Sequence, residues 1–233
     1  GPMAPCRGHP PSGLEEARMI FTAMSDGRFD LSGRWTRCAL GKNGVRPAED
    51  KREGDGASPL GTWAIRRVLY RPDRGPVPVT ALPVTALTPD DGWCDAPADP
   101  LYNQPVPLPY PASHEVLWRE DGVYDLIVIL GHNDDPPVPG MGSAIFLHLA
   151  RPGFTGTEGC IALTRPDLEA LLAVAARVGT TRLIDNTPLL NVREAQFDHY
   201  QRLMPRARRT YSKFVPAKAS MLDFPSMTRS ASS

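Results

Sequence analysis

Apolar residues in this chain fall in short blocks separated by glycine and proline, and only once do they recur at clear helical spacing. Tyr124–Leu130 and Ser143–Leu149 are β-branched or apolar and bounded by turn residues, which predicts two buried strands. Gly33–Leu40 alternates and predicts a strand that turns at Gly41–Gly44. Trp63–Tyr70 reads as a strand with one face toward a core, and Thr181–Asp185 as the last one. The stretch Lys51–Thr62, just before Trp63, is expected to be a glycine-rich loop, and residues 72–113 are dominated by proline and polar turns. Leu168, Leu171, Leu172 and Ala175 repeat at helical spacing behind a Thr164 cap, Pro166 and Asp167. This predicts one helix over 166–178, closed by Gly179.

The outer segments differ. Residues 1–30 read as a poorly packed lead-in with a short helical-looking piece at Leu14–Ser25. Residues 191–233 read as a basic extension whose Ser-rich end is disordered. The expectation is a mainly β domain over 31–190, since strands predominate and no β-α alternation calls for a parallel α/β sheet.

Composition narrows the function. The 26 prolines and 20 glycines agree with many turns. Lys+Arg and Asp+Glu balance at 26 each, so no field favours nucleic acid or an anionic membrane as a partner. No run approaches the roughly 18 apolar residues of a membrane span, and no apolar signal segment is visible at Gly1–Gly13. Gly1-Pro2 ahead of Met3 has the look of a tag-cleavage remnant. Cys6, Cys38, Cys94 and Cys160 are far apart and lack C-x-x-C spacing, which argues against a zinc site or a disulfide framework. No metal or organic cofactor is expected, and a monomer is.

The most informative stretch is Ile145-Phe146-Leu147-His148-Leu149-Ala150-Arg151-Pro152-Gly153-Phe154-Thr155-Gly156-Thr157-Glu158-Gly159-Cys160-Ile161-Ala162-Leu163. A histidine ends an apolar strand, and a Gly/Pro/Thr loop then leads to a cysteine. A cysteine nucleophile reacts as thiolate, and an imidazole nearby takes its proton. Gly159 allows a sharp turn, so that N–H groups at Gly159 and Cys160 can face an oxyanion. A buried structural cysteine beside a satisfied core histidine accounts for the same spacing.

Thr157, Gly159 and Cys160, with His148 upstream, resemble the catalytic motif of the YkuD-type L,D-transpeptidases. Lys51–Gly56 followed by Ser58-Pro59-Leu60-Gly61-Thr62 resembles that family's Lys-x-Gly-x-x-(Thr/Ser)-Pro-x-Gly segment, and His132-Asn133-Asp134 with Gly140–Phe146 resemble one of its subgroups. The resemblance covers roughly residues 33–185. It implies a β-sandwich domain and acyl transfer on peptidoglycan stem peptides through a diaminopimelate-type residue, in the periplasm or cell envelope. Cys160 would be the nucleophile and His148 the base, with the Leu149 carbonyl or a nearby acid orienting the imidazole. Asn133, Asp134, Ser143, Thr157 and Glu158 would line the substrate site. An L,D-carboxypeptidase or amidase on the same fold, or a non-catalytic wall-binding module, are the alternatives. Glu158 stands where the family carries a histidine. It is expected to point outward or to pair with Arg151 or Arg165, because a carboxylate facing the sulfur would hold the thiol protonated.

Overall fold

The computed structural model describes residues 20–175 and 180–184, and these form a mainly β domain. Its strands are β1 (Ile20–Met24), β2 (Arg28–Leu31), β3 (Arg34–Arg37), β4 (Val45–Pro47), β5 (Ser58–Tyr70), β6 (Val84–Ala86), β7 (Asp91–Cys94), β8 (Pro105–Pro107), β9 (His114–Val116), β10 (Leu126–Leu130), β11 (Phe146–Leu149), β12 (Ile161–Leu163) and β13 (Thr180–Ile184). The helix α1 spans Arg165–Val174. Among the described residues the main sheet runs β12-β11-β10-β5-β13-β1-β2-β3, with β4 and β6 paired to the long β5, and a small second sheet runs β8-β7-β9.

All five residues of β10 are buried, because this strand feeds two cores. Leu126, Val128 and Leu130 point into one, and Ile127 and Ile129 into the other. Strand period two makes the separation automatic. The first core is covered by α1 through Leu168, Leu171 and Leu172, each fully buried and contributing on the order of 1.5–3 kcal/mol by leaving water. The second core holds Trp93, Leu117, Phe146 and Cys160. β7 of the small sheet contributes Trp93 to it.

α1 opens as expected, with Thr164 Oγ1 accepting from the Asp167 N–H at 3.3 Å. The Asp167 carboxylate also accepts from Thr36 Oγ1 at 2.7 Å and Arg34 Nη2 at 2.8 Å, which ties the helix start to β3. The helix stops at Val174, short of 178, because Ala175 takes extended backbone.

Three expectations are corrected. Within Leu14–Ser25, read as helical, residues 20–24 form a strand that pairs in parallel with β13. Phe21 and Ala23 are fully buried there, and that burial with strand pairing outweighs helix propensity. Ser58–Thr62, read as loop, is the first part of β5 and pairs with β4 and β13. The proline-rich stretch holds β6, β7 and β8, whose short strands bring Trp93 and Leu87 into the second core. Gly179 and the extension after residue 190 lie outside the described residues.

Candidate active site

β11 and β12 pair in parallel with Leu147 opposite Ile161 and His148 opposite Ala162. Opposed residues share a face, so Cys160, one place before Ile161, lies beside Phe146 on the face that carries His148. One strand spacing of about 4.8 Å and two residues of rise at about 3.3 Å each make Cys160 and His148 diagonal neighbours, roughly 8 Å apart at Cα. Both side chains are 6% exposed.

The sulfur is held from two sides. Cys160 Sγ–H donates to the Ala144 carbonyl at 3.1 Å, and Sγ accepts from the Phe146 N–H at 3.4 Å. The His148 Nδ1 lies 3.0 Å from the Leu149 carbonyl, the orienting group expected for it. Nδ1 therefore carries the proton, and Nε2 is left as the accepting nitrogen. Tyr124 stacks edge-on to the imidazole at 5.3 Å between centroids and donates its hydroxyl to Glu115 Oε2 at 2.6 Å. Burial pushes the Cys160 thiol up to about 12, and the Glu115 charge adds to this. Burial pushes His148 down to about 4, against the pull of the Leu149 carbonyl. At neutral pH the resting pair is thus a thiol and a neutral imidazole.

The turn before Cys160 is built from its own polar groups. Thr157 Oγ1 donates to the Cys160 carbonyl at 2.7 Å and accepts from the Gly159 N–H at 3.1 Å. Ser58 Oγ donates to the same carbonyl at 3.3 Å. The Thr157 hydroxyl is therefore taken up inside the turn, and so is the Gly159 N–H, which was expected to face an oxyanion. Gly159 sits at φ +137°, and a Cβ there would stand 2.9 Å from the Ala57 carbonyl oxygen. Gly159→Ala is expected to lower the free energy of unfolding by on the order of 2–4 kcal/mol in chemical denaturation, through strain and that clash. Unchanged stability would mean that the turn relaxes freely.

Glu158 points outward, but its partner is neither Arg151 nor Arg165. Its carboxylate accepts from Lys42 Nζ at 2.7 Å, with the side chain 70% exposed. Arg151 is taken by Asp121 at 2.6 Å, and Arg165 lies 3.3 Å from Asp125. Lys42 is reached because its backbone N–H bonds the Thr157 carbonyl, a long-range contact invisible in local spacing.

The remaining candidates are spread along one loop. Asn133, at φ +49°, donates to the Val138 and Gly142 carbonyls at 3.0 and 2.9 Å and so fastens the loop to itself. Asp134 pairs with Arg66 through both oxygens, at 2.7 and 3.0 Å. Ser143 is buried. Cys94 is fully buried, and burial raises its thiol. His132 packs edge-on against Trp63 and bonds the Met141 carbonyl, while His114 bonds the Ala112 carbonyl.

Asn103 is a polar residue that links the small sheet to the site. Buried at φ +57°, it donates to the His132 and Asn133 carbonyls at 3.1 and 2.7 Å. Its Oδ1 accepts from Trp93 Nε1 and from the Ala144 N–H, both at 3.0 Å. It thereby holds the residue whose carbonyl accepts from the thiol. An asparagine in a proline-rich loop gives no local sign of this role.

Among the described residues no group of three or more His, Cys, Asp and Glu side chains is arranged to hold a metal ion, and no helix is long and apolar enough to cross a membrane. The family model YkuD, L,D-transpeptidase catalytic domain, matches residues 15–184. No curated protein and no solved structure matches the chain. The match spans well over half of the sequence and takes in the β11–β12 face with its cysteine and histidine, so the chain belongs to the YkuD family of L,D-transpeptidase catalytic domains.

Proposed function

We propose that the chain is a cysteine acyltransferase that cross-links peptidoglycan stem peptides at the cell envelope. The observation that carries this reading is the placement of Cys160 and His148 on one face of adjacent strands, with the imidazole anchored through Nδ1. The thiol gives up the Ala144 carbonyl and passes its proton to His148 Nε2. Sulfur attacks the carbonyl carbon of a diaminopimelate-type residue, and the imidazolium returns the proton to the departing amine as the C–N bond breaks. An acceptor amine then attacks the thioester, losing its proton to His148, and the thiolate is expelled and reprotonated. With the Gly159 N–H engaged by Thr157, the Cys160 N–H is the donor assigned to the oxyanion. The decisive experiment is intact-protein mass spectrometry with purified muropeptides. It should detect a thioester adduct, followed by a cross-linked product. Release of a hydrolysed peptide alone would replace transfer with carboxypeptidase or amidase activity, and a protein that forms no adduct would sink the reading.

Carbapenem acylation follows from the same chemistry. The resting thiol is protonated, so a one-carbapenem adduct on Cys160 is expected to form slowly but detectably. Because Glu158 faces solvent and Lys42, Glu158→Gln should change that rate by no more than about threefold. A large acceleration would place the carboxylate against the sulfur in solution.

A further inference from the structure

A groove of about 230 Å³ lies beside Phe146, the strand neighbour of Cys160, between the main sheet and the small one, lined by Arg66, Arg67, Trp93, Asn103, Ile129 and Phe146 among others. Its position follows from register. Cys160 lies beside Phe146, Phe146 is opposite Ile129 across β10–β11, and Ile129 is opposite Arg67 across β5–β10. These four residues make one row on one face of the sheet. At about 4.8 Å per strand, the Arg67 Cα is roughly 14 Å from that of Cys160, and a long side chain reaches back along the row. The groove is also linked to the site by hydrogen bonds. Asn103, in its wall, accepts from the Ala144 N–H, and the Ala144 carbonyl holds the thiol.

The two arginines differ. Arg66 is matched by the two oxygens of Asp134, which also lines the groove. Arg67 is half-buried and, among the described residues, its guanidinium makes no hydrogen bond or ion pair. Its neighbours on the same face, Leu69 and Ile129, are buried and apolar. A guanidinium drawn partly out of water without an anion is unfavourable, and its planar fork is suited to a carboxylate bound through both oxygens. With Arg66 and Asp134 cancelling, the groove keeps one net positive charge.

We propose that Arg67 heads a subsite for a free carboxylate of the stem peptide, next to the residue that acylates Cys160. The assignment rests on the transpeptidase reading for its substrate and narrows that reading to acidic, non-amidated stems. The test is calorimetric titration of the full chain carrying Cys160→Ala with a stem tetrapeptide and with its carboxamide. The acid should bind on the order of 10- to 100-fold more tightly than the amide. Arg67→Gln should abolish that difference, and Arg67→Lys, which keeps the charge without the fork, should retain part of it. An acid-to-amide ratio unchanged by Arg67→Gln overturns the subsite, as does failure of the parent protein to bind either peptide. Arg67-dependent binding in a protein whose wild type forms no acyl-enzyme would keep the subsite and remove the proposed function. Acylation indifferent to Arg67 would do the reverse.

Discussion

Cys160→Ala is expected to eliminate both the acyl-enzyme and the cross-linked product, with circular dichroism matching the wild type. The substitution removes one buried sulfur and frees two partners, the Ala144 carbonyl and the Phe146 N–H. That costs on the order of 1–3 kcal/mol, within what a domain with two cores tolerates. Burial does not single out Cys160, because the other described cysteines, Cys38 and Cys94, are also buried and have raised thiols; its place on the face that carries His148 does. Product formed by the variant at the wild-type rate would refute Cys160 as nucleophile and turn attention to Cys94.

His148→Gln should lower turnover by about 10²- to 10⁴-fold, the usual contribution of a positioned acid–base group. It should also change the pH dependence of stability. Burial holds His148 at about 4 in the fold, below its ordinary 6.5, so the unfolded chain binds the proton first as pH falls. Stability is therefore full above pH 6.5 and declines toward pH 4, by on the order of 3 kcal/mol for this group. His132, also lowered by burial, acts with the same sign. Denaturation midpoints for His148→Gln should fall less between pH 6.5 and 4 than those of the wild type. A variant that turns over at nearly the wild-type rate at neutral pH would shift the base to His132 or His114.

What could be read beforehand was whatever local pattern determines. Leu126–Leu130 and Phe146–Leu149 are short, apolar and bounded by turns, and the helix after Thr164 announces its own cap, so each appears where expected. That Cys160 and His148 share a face was legible because both residues belong to one strand-loop-strand unit. Features set by distant partners were not legible. The Ile20–Met24 strand exists through its pairing with β13, at the far end of the domain. Glu158 finds Lys42 because backbone bonds bring 41–42 against 157. Ile65, two residues before Arg67, turns to the opposite face and joins Leu130 because a bulge lies between Ile129 and Leu130, and no spacing rule anticipates a bulge. The bonds of Asn103 were hidden for a related reason, since a turn residue among prolines declares its backbone conformation and not the four groups it will gather.

The pairing of Ile20–Met24 with Thr180–Ile184 sets a timetable for biosynthesis. Strand β13 sits between β5 and β1, so the middle of the main sheet has a gap until residue 184 has left the ribosome. Until then β1, β2 and β3 have no sheet pairing that leads to β5, and β5 presents a bare edge toward them. Contacts closed over roughly 160 residues form slowly, and such an edge invites pairing with other chains. The nascent chain is therefore most exposed to misassembly late in translation, after the cysteine has been made and before the strand that seals the sheet around it has emerged.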